Sequence, residues 1–393
     1  MLSLLSILAI SATILASPIN PREDRPKYIP GKYLVQLQSG ANAAAISTHH
    51  DNVRRLARRS ETHEPIERTF NIGNLNAYLG DLDEEAAAEI ASLKEVLSVV
   101  PDEYIYLEKT NFPPLIASRD LTTQSPSIWS LGDLSHKAAG ANQYVYDSGA
   151  GEGTTAYVFD TGIRLTHQEF EGRARFGIDA IRNSTDPSLG SKDSDGHGTH
   201  CAGTIGGRTY GVAKRASLVD VKVFDGATGS VSATLTGIQW AINDVITRGA
   251  QKSSVFSMSL SARTTSTLMD DAVKAAYNAG ILTIAAAGNE NAPIGDSTPA
   301  RLPEAFTVGM TQPDRGRVNI IADIYGSNYG PEMDVFAPGR DIISASHLSD
   351  TGTATKTGTS MATPLVAGLL ALRGVVGDPK GSPNLLVNNG SGA

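Results

Sequence analysis

The chain has 393 residues, of which 40% are hydrophobic and 19% are charged, and its formal net charge is −8 at pH 7. This length exceeds that of a usual single domain, so we expect a large domain accompanied by a smaller one. The negative charge excludes the clustered basic surface that nucleic-acid binding requires, and we expect no nucleic-acid partner.

The amino terminus predicts a signal peptide at residues 1–16. Leu2 to Leu15 form an apolar run that ends in small residues. Such a run is typical of a secretory signal and is too short to span a bilayer. No other stretch of the sequence reaches the roughly 18 apolar residues of a transmembrane helix. We therefore expect a secreted, extracellular protein with no membrane partner.

The segment after the signal predicts a small α+β unit. Lys32–Gln38 and Val96–Glu103 are predicted strands, and Asp83–Leu93 is a predicted amphipathic helix that begins at acidic residues. The unit ends in a proline-containing stretch, residues 111–120, which has the character of an exposed linker that a protease could cut.

From about Leu121 the pattern predicts an α/β domain, a mostly parallel sheet with helices on both faces. Its predicted strands are Ala156–Phe159, Leu218–Phe224, Val255–Ser259, Ile281–Ala286 and Phe306–Val308. Its predicted helices are Val231–Thr247, Thr267–Ala279 with a left-handed cap at Gly280, and Leu365–Leu372. In such a sheet the ligand site lies beyond the carboxyl ends of the strands, so polar residues that follow strands are the candidates.

Asp160 is the first candidate, because it ends an apolar strand and is followed by Thr161 and Gly162. The glycine allows another group to approach the carboxylate closely. Taken alone, an aspartate at this position is equally explained as a residue that caps a loop.

His197 is the second candidate. It lies between Gly196 and Gly198, which leave the imidazole accessible, as a general base requires. Two alternatives stay open for this segment. His197 and His200 could be metal ligands together with Cys201, although their spacing fits no common zinc pattern, and His200 could be purely structural.

Ser360 is the third candidate. It precedes the predicted carboxyl-terminal helix, where backbone N–H groups and the positive end of the helix dipole are available. By itself such a serine is more commonly explained as an N-cap. Cys201 is the only cysteine, so no intrachain disulfide can form and we expect the thiol to be a small core residue.

The three candidates complete one another chemically. A serine hydroxyl needs a base to take its proton, and a carboxylate holds that base in one tautomer. The chain carries Asp160-Thr161-Gly162, His197-Gly198-Thr199-His200 and Gly358-Thr359-Ser360-Met361-Ala362 in this order.

These motifs resemble those of the subtilisin family. Residues 196–204 and 211–214 resemble its proteinase K branch of secreted fungal alkaline proteases. The resemblance covers the chain from about Leu121 to the end and implies a subtilisin-like peptidase domain at residues 121–393. It implies a serine endopeptidase of broad specificity that hydrolyses proteins and peptides through an acyl-enzyme, and we expect it to be a monomer.

The resemblance also implies a role for each residue of the motifs. Ser360 attacks the peptide carbonyl, His197 shuttles the proton and Asp160 orients His197. Asn289, in Ala286-Ala287-Gly288-Asn289, matches the asparagine that binds the oxyanion. Alone, an asparagine after glycine would be explained as a turn residue.

The implied substrate-binding residues form two segments that take up the substrate as an added strand, Gly229-Ser230-Val231 and Ser259-Leu260-Ser261. In this branch Ser-Leu is usually followed by Gly-Gly, whereas this chain has Ser261 and Ala262. The additional side-chain atoms are expected to reshape the primary specificity pocket.

The resemblance further implies a structural calcium ion, bound by the carbonyl oxygens of Pro303 and Ala305 and the carboxylate of Asp334. One carboxylate with carbonyl oxygens suits a hard cation. The alternative is that Asp334 only begins a strand. No catalytic cofactor is implied. Asn183 and Asn389 lie in Asn-X-Ser/Thr triplets and are candidate glycosylation sites of a secreted chain.

Residues 26–108 resemble the inhibitory propeptide of the same family, so we assign residues 17–120 as a propeptide that makes the protein a self-processing zymogen cut near Asp120. A generic small α+β module is the alternative. The chain after Arg373 is shorter than the family pattern. This keeps open a second function, a non-catalytic binding protein with a subtilisin fold.

Overall fold

The computed structural model describes residues 27–39, 43–57, 64–106, 124–146, 148–189, 192–263, 265–319 and 325–371. The predicted signal at residues 1–16, the predicted cut near Asp120, the candidate glycosylation site Asn389 and the shortened carboxyl-terminal end lie outside these ranges. Within the ranges, no helix is long and apolar enough to cross a membrane.

The amino-terminal unit is an antiparallel sheet with two helices. Its elements are β1 (Tyr28–Leu37), α1 (Ala43–Ala57), β2 (Ile66–Ile72), β3 (Leu75–Asp81), α2 (Glu84–Ala91) and β4 (Val96–Tyr106). The strand order is β2-β3-β1-β4. The sequence predicted β1, α2 and β4 but not the other three. Helix α2 begins as predicted at an acidic cap, since the Asp83 carboxylate accepts a hydrogen bond from the N–H of Ala86 at 2.7 Å.

The larger unit is a mixed α/β domain. Its strands are β5 (Thr155–Asp160), β6 (Ala174–Asp179), β7 (Ser217–Lys222), β8 (Phe224–Asp225), β9 (Thr228–Ser230), β10 (Ser254–Met258), β11 (Leu282–Ala286), β12 (Ala305–Thr311), β13 (Val335–Pro338), β14 (Ile342–Ala345) and β15 (Thr353–Lys356). Its helices are α3 (Trp129–Ser135), α4 (His197–Gly206), α5 (Val231–Thr247), α6 (Thr267–Asn278) and α7 (Thr359–Ala371).

Seven of the strands in the described ranges form one parallel sheet in the order β13-β12-β11-β10-β5-β7-β6, which confirms the predicted α/β fold. Strand β5 shows why both faces are covered. Tyr157 and Phe159 belong to one buried cluster with α5 and α6, whereas Ala156 and Val158 belong to another with α4 and α7. Because successive side chains of a strand point to opposite faces, β5 contributes to two cores.

Helices α5 and α6 begin and end close to the residues that the sequence predicts. Helix α5 has the predicted bounds, and its N-cap Ser230 accepts a hydrogen bond from the N–H of Ala233 at 3.1 Å. Helix α6 ends one residue earlier than predicted, before Gly280, whose φ of 81° confirms the left-handed cap.

The predicted strand Leu218–Phe224 is wrong in one respect. The chain leaves the parallel sheet after Lys222, and Phe224 belongs to a separate antiparallel ribbon formed by β8 and β9. The ammonium of Lys222 marks this break, because it donates hydrogen bonds to the carbonyls of Thr161, at 2.6 Å, and Phe224, at 2.7 Å. An apolar run gives no sign of such a change of sheet.

Candidate active site

Asp160 and His197 form a buried pair at the carboxyl end of the parallel sheet. Asp160 is the last residue of β5 and His197 is the first of α4. The Nδ1 of His197 lies 2.8 and 2.9 Å from the two carboxylate oxygens of Asp160. An ionised carboxylate can only accept, so Nδ1 carries the proton and Nε2 presents its lone pair. The imidazole is therefore held in the tautomer that a general base requires.

The electrostatics of His197 reflect this pairing. Burial is the largest single influence and lowers the pKa of the imidazole, but the charge and hydrogen bond of Asp160, together with a smaller contribution from Cys201, raise the pKa overall. A negative partner thus stabilises the imidazolium that forms when His197 accepts a proton.

His200 has a different environment from His197. Its Nε2 is hydrogen-bonded to the carbonyl of Ile342 at 2.9 Å, and burial lowers its pKa to about 3. It is therefore a neutral structural residue that holds α4 against β14. In the described ranges, the group of potential metal ligands that share a small volume is Asp160, His197 and Cys201, so the alternative with both histidines as ligands finds no support.

Ser360 lies in the first turn of α7, as its second residue, and is not the N-cap. Four residues later Pro364 has no N–H to donate to the Ser360 carbonyl, as a helix would otherwise require. That carbonyl instead accepts hydrogen bonds from the hydroxyl of Ser259, at 2.9 Å, and the thiol of Cys201, at 3.4 Å. The Ser360 hydroxyl itself donates to the Ser259 carbonyl at 3.2 Å.

Cys201 is fully buried, as the sequence predicted. Its position was not predicted, because the sulfur lies 3.8 Å from the Nδ1 of His197 and 3.6 Å from the hydroxyl of Ser259. Burial raises the pKa of the thiol, so it stays protonated at neutral pH. It fills the space beneath the site as a small apolar group.

Asn289 follows β11, and its side chain is bonded to Thr359, the residue before Ser360. Its side-chain oxygen accepts two hydrogen bonds from Thr359, one from the N–H at 2.8 Å and one from the hydroxyl at 3.0 Å. The side-chain oxygen is thus fixed at Thr359, which sets the orientation of the amide. Gly288 precedes it with a φ of 99°, and a Cβ there would lie 2.4 Å from the amide nitrogen of Asn328. Only glycine fits this turn.

The predicted substrate-binding residues lie at or directly after the ends of two strands. Gly229 and Ser230 lie on β9, Val231 begins α5, and Ser259, Leu260 and Ser261 follow β10. Ala262 is buried and pairs with Thr298 through two backbone hydrogen bonds, of 2.8 and 3.0 Å. The backbone at Ala262 is therefore held in place by Thr298, and its side chain belongs to a buried apolar cluster.

The amino-terminal unit already occupies the β9 segment. The end of β4 pairs with β9 in antiparallel register, with Tyr104 opposite Ser230 and Ile105 opposite Gly229, so the small sheet continues across the boundary in the order β4-β9-β8. Asp102, for which the sequence predicted no contact, accepts a hydrogen bond from the N–H of Ser232 at 3.2 Å and another from its hydroxyl at 2.5 Å. It thus binds the first turn of α5.

Asp334 directly precedes β13, and its carboxylate accepts a hydrogen bond from the N–H of Thr307 at 2.7 Å. Burial raises the pKa of this carboxyl to about 6, against the opposite effect of that hydrogen bond. Pro303 is exposed, and Ala305 is buried at the start of β12. Asn183, the described glycosylation candidate, is exposed in a left-handed turn with a φ of 51°.

Comparison with known proteins matches both units. The model of the Subtilase family matches residues 151–382, and that of Peptidase inhibitor I9 matches residues 32–108. Alkaline protease 1 of Aspergillus flavus is 41% identical over 99% of this chain and 98% of its own length. Alkaline proteinase of Hapsidospora chrysogena is 40% identical over the full length of both chains.

A solved structure of a cold adapted subtilisin-like serine proteinase is also similar. It is 36% identical, superposes with a TM-score of 0.58, and is matched over 67% of this chain and 98% of its own. The matched family, the full-length relatives and the fold agree with one another, and the chain therefore belongs to the subtilase family of serine proteases, with an inhibitory propeptide domain of the I9 type before the peptidase domain.

Proposed function

We propose that this protein is a secreted serine endopeptidase of broad specificity that acts through an acyl-enzyme formed on Ser360. His197 Nε2 takes the proton of the Ser360 hydroxyl as its oxygen attacks the scissile carbonyl, and later gives it to the leaving amine. Water then releases the acyl group by the same steps in reverse order. Asp160 holds the ring throughout.

The observation that carries this proposal is the bifurcated hydrogen bond from Nδ1 of His197 to the two carboxylate oxygens of Asp160. It leaves Nε2 as the nitrogen that can accept a proton. The Ser360 hydroxyl donates to the carbonyl of Ser259, so in the proposed mechanism it leaves this acceptor and gives its proton to His197. Catalytic hydrogen bonds of this kind often tighten only when substrate binds.

A fluorophosphonate probe tests the proposal directly. Only a serine activated by a base reacts with it at neutral pH, so we expect one label per mature chain, on Ser360 by peptide mapping. Ser259, the neighbouring buried serine, serves as the internal control and is expected to stay unlabelled. A folded, processed chain that takes up no label would instead favour the non-catalytic binding protein.

Asn289 is proposed to hold the oxyanion of the tetrahedral intermediate together with the backbone N–H of Ser360. We expect Asn289→Ala to lower kcat by about 10²–10³, the loss known for this donor in subtilisin, with little change in KM. Steady-state kinetics on a peptide ester and a peptide amide would measure it. Asn291→Ala is a control, since Asn291 lies two residues further along a partly exposed turn. A KM effect with unchanged kcat would contradict the assignment.

The zymogen proposal rests on the pairing of β4 with β9. An inhibitory domain whose last strand pairs with Gly229 and Ser230 excludes any substrate that would be taken up as an added strand there. We propose that the chain cuts itself near Asp120 and that the released domain of residues 17–120 stays bound as an inhibitor until it is degraded. Amino-terminal sequencing of the secreted product identifies the cut.

Specificity is proposed to depend on Ser261 and Ala262, where the related branch usually has two glycines. A Cβ at each position narrows the pocket wall, so we propose a preference for smaller apolar residues before the cut than proteinase K-like enzymes accept. Comparison of kcat/KM for alanine, leucine and phenylalanine at that position, in the natural chain and in Ala262→Gly, would reveal the narrowing.

Calcium is proposed to bind at Asp334 with the carbonyls of Pro303 and Ala305. The chemistry of the carboxylate fits a cation, because the influences on its pKa are burial and one backbone hydrogen bond, with no basic side chain among them. A hard cation would supply the missing positive charge. Its part would be structural, and no step of the reaction is assigned to it.

Removal of calcium is expected to lower the melting temperature of the fluorophosphonate-inhibited enzyme by roughly 5–10 °C, if the ion is present at about 100 times its Kd. A carboxyl whose pKa is raised in the folded state binds protons more tightly when folded. The metal-free protein therefore loses stability as pH rises from about 4, the unfolded pKa, to about 6. Asp334→Asn should abolish the chelator effect, whereas Asp341→Asn, an exposed control, should keep it. An unchanged melting temperature on chelation would count against the site.

Asn183 is proposed to carry an N-linked glycan, since its exposed turn leaves the side chain accessible. A mass loss on treatment with an N-glycosidase that disappears in Asn183→Gln would test this. Asn389 remains a sequence-based prediction.

A further inference from the structure

Asp193 is a buried carboxylate that the reaction described above does not use. Only 8% of its surface is exposed, and its two oxygens accept five hydrogen bonds. Burial of a charged carboxylate costs free energy, which its hydrogen bonds must offset. A carboxylate with five donors around it therefore points to a structural requirement at this position. We propose that Asp193 is a positioning residue that locks the loop of Asp160 to the helix of His197, an inference that rests on the proposed catalytic roles of those two residues.

One oxygen of Asp193 binds both sides of the pair. Its Oδ1 accepts from the hydroxyl of Thr161, the residue after Asp160, at 2.7 Å, and from the N–H of Gly196, the residue before His197, at 2.7 Å. It also accepts from the N–H of Asp195 at 3.1 Å. A single atom therefore links the residues adjacent to the two members of the pair.

The second oxygen fixes the start of α4. Its Oδ2 accepts from both the N–H and the hydroxyl of Thr199, at 2.9 and 2.6 Å. The first N–H groups of a helix have no partner within the helix, and a carboxylate is the strongest acceptor for them. The hydroxyl of Thr199 in turn accepts from the N–H of Arg164, at 2.9 Å, which extends the link beyond Gly162.

Thr161 completes the link in the opposite direction. Its hydroxyl donates to Asp193 and accepts from the N–H of Gly198 at 2.9 Å. The two chains approach so closely here that a Cβ on Gly198 would lie 2.2 Å from the carbonyl of Gly162. The distance between Asp160 and His197 is thus set by a small hydrogen-bonded unit of Asp193, Thr161 and Thr199, and not by the pair alone.

Two substitutions separate positioning from general stability. In Asp193→Asn either orientation of the amide places its NH₂ against a backbone N–H, so one side of the link must break. Thr161→Val removes the hydroxyl but keeps the shape and every charge. Thr161→Ser restores the hydroxyl. Asp179→Asn is the matched control, because Asp179 is also buried and accepts backbone N–H groups, from Ile181 and Arg182, but at the end of β6 away from His197.

We expect Thr161→Val and Asp193→Asn each to lower kcat by about 10- to 100-fold with KM changed less than about twofold, as for small displacements of reacting groups. Thr161→Ser should recover most of the rate. The double variant should be no slower than the slower single variant, because both break one link. Asp179→Asn is expected to lower the melting temperature and to leave kcat unchanged.

The pH dependence of kcat/KM distinguishes a positioning role from a loss of stability, because a lower stability does not change the pKa of His197. Among the described residues, the titratable groups that act on the pKa of His197 are Asp160 from β5 and Cys201 from α4, with neutral His200 one turn along the same helix. The charge of Asp160 raises the pKa of His197, so a looser pair should move the acid limb of kcat/KM to lower pH in Thr161→Val, where no charge is removed. Wild-type kcat and an unmoved acid limb in Thr161→Val would overturn the inference even if Asp193→Asn failed to fold. Absence of fluorophosphonate labelling in the natural chain would instead overturn the proposed function.

Discussion

Ser360→Ala is expected to abolish proteolysis. The substitution removes the oxygen that forms the covalent bond to the substrate in the proposed mechanism. Loss of the nucleophile in subtilisin itself lowers kcat by about 10⁶. Casein hydrolysis by the purified variant should fall to background. Because the same serine is proposed to cut the chain near Asp120, the variant should also accumulate as an unprocessed protein that retains its amino-terminal domain, which gel mobility and amino-terminal sequencing would measure.

Ser257→Ala is the matched control for this result. Ser257 is a buried serine of β10 whose hydroxyl, among the described residues, has no hydrogen-bond partner. Its replacement should leave hydrolysis and processing intact. Normal activity in Ser360→Ala would remove the basis for the proposed mechanism. Loss of processing alone, with casein hydrolysis retained, would instead mean that another protease activates the chain.

Asp160→Asn is expected to lower kcat by about 10⁴ while the fold is retained. The amide can donate to Nδ1 of His197, which favours the tautomer with its proton on Nε2 and removes the base that faces Ser360. The negative charge that raises the pKa of His197 is lost as well, so the acid limb of kcat/KM should move to lower pH. Pre-steady-state kinetics over a range of pH would measure both effects.

Asp244→Asn distinguishes this effect from a general disturbance of β5. The Asp244 carboxylate accepts a hydrogen bond from the hydroxyl of Tyr157, on the same strand, at 2.6 Å, but it lies on α5 and does not contact His197. It should cost stability with kcat and the acid limb unchanged. A kcat loss in Asp244→Asn equal to that in Asp160→Asn would mean that the strand, and not the charge, determines the rate.

The ends of helices and strands show which structural features the sequence predicts and which it does not. Helix α5 and the cap at Gly280 were predicted correctly because their signals are local: a serine cap, helical periodicity and a glycine in the left-handed region. The strand Leu218–Phe224 was predicted as one element because its apolar run continues through the break. What interrupts it is the ammonium of Lys222 bound to the carbonyl of Thr161, a contact between residues 61 positions apart that periodicity cannot detect.

The residues of the candidate site also differ in whether the sequence predicted them. The sequence predicted Asp160, His197 and Ser360 as candidates from their positions at strand ends and a helix start, and the family resemblance implied their roles together with that of Asn289. The sequence did not identify Asp193, although an aspartate three residues before Gly196, the residue that precedes α4, is a local signal for binding N–H groups at a helix start. Nor did it predict the contact of Asp102 with Ser232, which lies 130 positions away.

The sequence by itself therefore determined the fold class and the protease family and predicted which groups react, because motifs and periodicities record which atoms are present and which backbone conformation surrounds them. Only the tertiary structure decided how those groups are held: that β4 of the inhibitory domain pairs with β9, that Cys201 and Ser259 bond to the carbonyl that Pro364 leaves free, and that Asp193 links the loop of Asp160 to α4. These are contacts between distant parts of the chain, and their geometry exists only once both faces of the parallel sheet are packed.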